Sequence, residues 1–143
     1  MNASSLPDKE VREKLERIVD AVQTDVRAEF GQEFFCKDLE TLAGLCHIAA
    51  YRTYVAIRQD FDDTIGPFIY GLRITAGNGV FDESTHLVVL AARRKGDHGN
   101  SFLVDPSLGQ YAPTTNFVFD LTRDPYPLKI VKMYTVDPQK IRI

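Results

Sequence analysis

Cysteine and histidine are scarce in this chain, two and three respectively among 143 residues. Two cysteines cannot staple a disulfide framework. With three histidines, and no Cys-x-x-Cys or His-x-x-x-His spacing, they supply no convincing zinc set. A single Cys36–Cys46 bridge is conceivable, and it would consume the thiol singled out below. An excess of positive charge is also missing. With 17 Lys and Arg against 20 Asp and Glu the formal charge is −3, which provides no field for a polyanion and argues against nucleic acid as a partner. No apolar run approaches the roughly 20 residues that span a bilayer. The stretch Met1-Asn2-Ala3-Ser4-Ser5-Leu6-Pro7-Asp8 lacks the basic-then-apolar order of a secretory signal. The expected location is therefore the cytoplasm, or a target cell reached by a signal-independent route. Internal repeats, low-complexity tracts and a calcium loop of regular aspartate spacing are absent too. Asp60, Asp62 and Asp63 are expected to be simply solvated.

What is present is the composition of a soluble globular protein, 44% hydrophobic and 26% charged, in a length that suits one domain. Val11, Leu15, Ile18, Val19, Val22, Val26 and Phe30 recur at three- and four-residue steps. They predict a helix from about Pro7 to Phe30, capped by Ser5. Gly31-Gln32 ends it, and Phe34-Phe35-Cys36 turns the chain towards the core. Asp38 is placed to cap a short helical segment, Leu39 to Leu42, which Gly44 interrupts. A second helix is expected from Leu45 or Cys46 to Gln59, followed by a loop over Asp60 to Pro67. The character then turns to β. Strands are predicted at Phe68–Thr75, Thr85–Arg93, Ser101–Val104, Phe117–Leu121 and Lys129–Val136. Gly77-Asn78-Gly79 and the polar run Arg94 to Asn100 are read as turns. Helices first and an antiparallel sheet after them is an α+β arrangement.

Three residues carry chemistry. A thiol that opens a helix is stabilised as thiolate by the dipole and first-turn N–H groups. Cys46 fits that description, with Gly44 giving close backbone approach and the Cys46 N–H free to donate to an oxyanion. His86 starts an apolar strand behind the polar stretch Asp82 to Thr85, the edge position a general base needs. Asp105 ends the next strand, before Pro106. Counting outwards from the turn sets it roughly opposite His86–Val88, where it can hold the imidazole tautomer. His47, next to Cys46, points about 100° away on a helix and is poorly placed as the base. His98 sits in the polar turn and is expected in solvent.

Cysteine on a helix, histidine on a strand and aspartate on the next strand resemble the papain-like and transglutaminase-like thiol superfamily. The block Leu103-Val104-Asp105-Pro106-Ser107-Leu108-Gly109-Gln110-Tyr111 is similar to its frequent Asp-Pro-Thr/Ser…Gln-aromatic pattern. Within that superfamily the spacing, with Gln110 after the aspartate, most resembles bacterial toxin domains that deamidate protein glutamines, the mitogenic, dermonecrotic-type catalytic domain among them. The resemblance covers roughly residues 40–112. It implies Cys46 as nucleophile, His86 as base and then acid, Asp105 as orienter, and Gln110 as an amide that positions substrate or oxyanion. It also implies a helical layer packed on an antiparallel sheet, a protein substrate, and an accompanying immunity or chaperone protein.

Two departures shape the expectation. Papain-type peptidases carry an oxyanion-hole glutamine shortly before the cysteine, where this chain has Glu40 and Thr41. A carboxylate there repels an oxyanion, which disfavours an ordinary peptidase. Transglutaminase-like enzymes usually place an aromatic residue after the cysteine, where this chain has His47. The expected activity is deamidation of glutamine side chains through a thioester, as a bacterial effector or toxin, with no cofactor or metal. A cysteine peptidase or transglutaminase shares the first step, and a non-catalytic binding module of the same fold is the alternative from another class.

Overall fold

Apolar periodicity and a tolerated proline begin the structure. The computed structural model describes residues 6–30, 39–61, 64–75, 84–110 and 114–141, and α1 runs Asp8–Phe30. Val11, Leu15, Ile18, Val19, Val22 and Val26 are buried on one side of it. Phe30 departs from the stripe at 41% exposed, at the final residue, past the turn that Val26 seats in the core. The Val11 N–H donates to the Pro7 carbonyl at 3.0 Å, so the proline ring removes no bond from the ladder. The expected caps Ser5 and Asp38, the segment around Cys36, the Gly77-Asn78-Gly79 turn, Asp62 and Asp63 all lie outside the described residues.

The second helix corrects the sequence reading. α2 is one element, Leu39–Asp60, and Gly44 does not interrupt it. A glycine in a helix interior costs about 1 kcal/mol relative to alanine. Burial of Cys46, Ile48, Ala49, Ala50, Thr53 and Ile57 on the following turns outweighs so small a penalty. Ala49 and Ala50 are fully buried, as small residues at a close approach are. The Thr53 hydroxyl donates back to the Ala49 carbonyl at 2.8 Å, which satisfies its burial.

The strands are β1 Ile65–Thr75, β2 Ser84–Arg93, β3 Phe102–Val104, β4 Val118–Asp120 and β5 Lys129–Val136. They form one antiparallel sheet in the order β4-β3-β2-β1-β5. The fold is therefore α+β, two helices packed on a five-stranded antiparallel sheet. β1 starts earlier than expected, because Ile65, Gly66 and Pro67 pair with Arg93, Ala92 and Ala91. A proline is admitted there because β5 joins β1 only from Ile69 onwards, so Pro67 has a neighbour on one side alone.

Alternation along the strands builds two apolar layers. Ile65, Ile69, Leu87, Val89, Ala91, Phe102, Val104 and Val118 share a cluster with both helices. Leu72, Ile74, Val88, Leu103 and Phe119 form the other layer, covered by Leu108, Phe117, Tyr126 and Leu128. The β2–β3 turn is pinned to the start of α1. Arg93 Nη2 and the Asn100 N–H both donate to Asp8 Oδ1, at 2.9 and 2.8 Å. Gly96 takes φ +98° in that turn, a conformation that favours glycine.

Candidate active site

β3 is short, and its pairing with β2 covers only Val89, Leu90 and Ala91. His86 lies on the stretch of β2 beyond that pairing, with Leu72 of β1 opposite it on the other side. The register Val89↔Val104 extends to set Asp105 across from Val88. Asp105 then leaves the sheet, its N–H donating to the Phe117 carbonyl at 2.8 Å and its carbonyl accepting from Leu108 at 3.3 Å. That turn delivers the carboxylate to the ring. His86 Nε2 stands 2.7 and 2.8 Å from Asp105 Oδ1 and Oδ2. Nε2 is committed to the carboxylate, which leaves Nδ1 as the ring nitrogen available to a further partner.

That partner is the thiol. Cys46 is hydrogen-bonded to the His86 side chain and to the backbone N–H of Leu87. Its sulfur also lies 3.8 Å from His47 Nδ1. Cys46 is a thiol and is not part of a disulfide; Cys36 lies outside the described residues. Cys46, His86 and Asp105 each have zero exposure, so their interactions run in a medium where charge is weakly screened.

The electrostatics follow from these contacts. Burial alone pushes the Cys46 thiol up. Hydrogen bonds from His47, His86 and the Leu87 N–H, with the charge on His86, outweigh burial and bring it down to about 6. For His86 burial works against the charged ring. The Asp105 charge and hydrogen bond, together with Cys46, reverse that and raise it to about 9. Between those values the pair is a thiolate beside an imidazolium, titrating as a unit.

Three expectations need correction or relocation. Cys46 does not open its helix. In a helix that begins at Leu39 its N–H belongs to the i→i−4 ladder, so it is no oxyanion donor, and the first-turn dipole is not what stabilises the thiolate. Two imidazoles and the Leu87 N–H do that instead. His47 is not remote from the sulfur: its Nδ1 lies 3.8 Å from Sγ. Gln110 lies in the 3-10 turn Leu108–Gln110, and its side chain is outside the described residues, as is that of Glu40. His98 is exposed in the turn, as expected.

Tyr126 is a contact the sequence does not announce. Its hydroxyl donates to Asp105 Oδ2 at 2.5 Å, and its ring packs edge-on against Phe119 with centroids 5.4 Å apart. Tyr126 sits between two prolines in an irregular segment, where no periodicity signals a partner. A groove of about 400 Å³ between α1 and α2, lined by Ile18, Val22, Tyr51 and Val55 among others, includes none of these residues. Among the described residues no group of three or more His, Cys, Asp or Glu is arranged to hold a metal ion. Likewise no helix there is long and apolar enough to cross a membrane. Comparison with known proteins finds no family model, no curated relative and no solved structure that matches the chain.

Proposed function

We propose that this protein is a cysteine-dependent amidohydrolase that deamidates glutamine side chains of a protein substrate. The observation that supports this most is the buried chain of contacts Cys46–His86–Asp105. In it a low-pKa thiol meets an imidazole whose other nitrogen is held by a carboxylate. Such a chain makes a nucleophile and an acid in one proton-balanced pair.

Cys46 thiolate attacks the carboxamide carbon, and a C–S bond forms as the carbonyl π pair moves to oxygen. The tetrahedral species collapses, the C–N bond breaks, and the His86 imidazolium gives its proton to the leaving amine, which departs as ammonia. The neutral His86 then takes a proton from water, whose oxygen attacks the thioester. The carboxylic acid leaves and the thiolate–imidazolium pair is restored. Asp105 keeps the ring in the orientation that both transfers need. With the Cys46 N–H inside the helix ladder, the oxyanion donor in this reading is Gln110, carried over from the resemblance.

Deamidation is preferred over peptide cleavage because Glu40 and Thr41 stand where a papain-type peptidase has its oxyanion-hole glutamine. A role as a bacterial effector or toxin rests on the same resemblance. The test is to incubate the chain with candidate proteins, weigh the products and assay ammonia. Deamidation adds about one mass unit per event and releases ammonia, and Cys46→Ala abolishes both. Backbone fragments in place of that mass shift identify a peptidase. A Cys46 whose ultraviolet absorbance shows no thiolate between pH 6 and 8 refutes the catalytic reading altogether.

A further inference from the structure

The described partners of the Cys46 sulfur are His47, His86 and the Leu87 N–H. His86 and Leu87 are buried, while His47 is exposed. Adjacent residues on a helix point about 100° apart, so a contact between 46 and 47 requires the two side chains to lean towards each other. His47 makes that contact through the ring nitrogen nearest its own backbone, Nδ1, at 3.8 Å from Sγ. The thiol is thus held between two imidazoles of different kinds. One is sealed in and tied to Asp105; the other opens to solvent.

We propose that His47 is a second catalytic histidine, which donates its Nδ1–H to the Cys46 sulfur and holds the thiolate from the solvent side. The proposal rests on Cys46 being the nucleophile of the reaction above. The labour divides between the two rings. His86 carries the proton that passes to ammonia and later comes from water. His47 carries no proton in the cycle and answers the charge on sulfur. In the thioester the sulfur is neutral and the Nδ1–H is idle. When water adds and the C–S bond breaks, the electron pair returns to sulfur and the Nδ1–H is in place to receive it. Among the described residues the groups acting on the sulfur are His47 from α2, with His86 and the Leu87 N–H from β2, and Asp105 acts on it through His86.

The test exploits the atom involved. The amide nitrogen of asparagine can stand where Nδ1 stands, whereas that of glutamine reaches the Nε2 position. In a Cys36→Ser chain, where Cys46 is the one remaining thiol, its titration is read from ultraviolet thiolate absorbance and from the pH dependence of iodoacetamide alkylation. His47→Phe and His47→Gln should each move that titration up by about one unit, a tenfold loss of thiolate below the parental value. His47→Asn should leave it within a few tenths of a unit. Because residue 47 is exposed, the variants should keep the parent's circular dichroism. A His47→Phe titration that matches the parent overturns the proposal. So does a His47→Asn shift as large as that of His47→Phe, since the Nδ1–H would then not be the active feature. His86→Ala separates the role of His47 from that of Cys46. If it moves the thiol and His47→Phe does not, only the role of His47 falls; if neither moves it, the nucleophile reading falls as well.

Discussion

Tyr126 donates its hydroxyl to Asp105 Oδ2 at 2.5 Å, so the carboxylate that holds His86 is itself held by a residue between β4 and β5. His86 Nε2 contacts both oxygens of that carboxylate, and the Asp105 N–H is anchored on Phe117. The imidazole therefore rests on a carboxylate fixed from two directions. That matters because a base misplaced by a fraction of an ångström loses much of its effect.

Tyr126→Phe removes one of those supports and keeps the edge-on packing against Phe119. For the proposed deamidation the expected outcome is a fall in kcat of roughly tenfold with little change in KM, since the tyrosine touches Asp105, the proposed orienter. Stability should fall by about 2 kcal/mol, within the range for a hydrogen bond to a charged group. Steady-state kinetics on a glutamine-containing substrate, with a urea titration alongside, checks both figures. An unchanged kcat would show that Asp105 needs no second anchor.

The pH dependence follows from the two shifted groups. The thiolate exists above about 6 and the imidazolium exists below about 9. In the proposed reaction the rate of acylation should rise as pH climbs through about 6, hold a plateau, and fall as pH passes about 9. These limits belong to the pair jointly and not to either residue alone. Single-turnover rates across pH 4–10 give the profile. A rate that climbs steadily to pH 9, as an unperturbed thiol would make it, contradicts the ion pair.

Away from the site, the Asp8–Arg93 contact offers a stability test. Arg93 is 3% exposed in its side chain and Asp8 38%. Asp8 Oδ1 serves both the Arg93 guanidinium and the Asn100 N–H. Asp8→Ala strands a mostly buried cation and loosens the β2–β3 turn from α1. The cost should be about 2 kcal/mol, below that of a fully buried pair because solvent screens the aspartate. Chemical denaturation measures it. Activity per folded molecule should stay at the parent level, because neither residue approaches Cys46.

Much of the architecture is legible in the chain. The stripe from Val11 to Val26 dictates α1, since a three- and four-residue period has one way to bury itself. The strand runs and the polar turn Arg94–Asn100 dictate the β2–β3 hairpin, and with it the approach of Asp105 to the His86 end of β2. The errors fall where a local signal was weak against packing. Gly44 reads as a break, yet the turns after it are buried and the helix passes through. Pro67 reads as loop, yet it enters β1 where the strand has a single neighbour.

The sequence by itself determined the α+β order of elements, singled out Cys46, His86 and Asp105 as candidates, and indicated the hairpin that brings the last two together. All of these follow from periodicity and counting along the chain. Tertiary structure alone decided what surrounds the sulfur. It placed Cys46 in a helix interior rather than at a helix start, set His47 beside the thiol, and brought Leu87 and Tyr126 to the ends of the contact chain. Each of those depends on how a helix crosses a sheet, or where an irregular segment returns. Such placements are fixed by burial between distant elements, and no local pattern records them. The thiol was readable in one dimension; the reason it ionises is not.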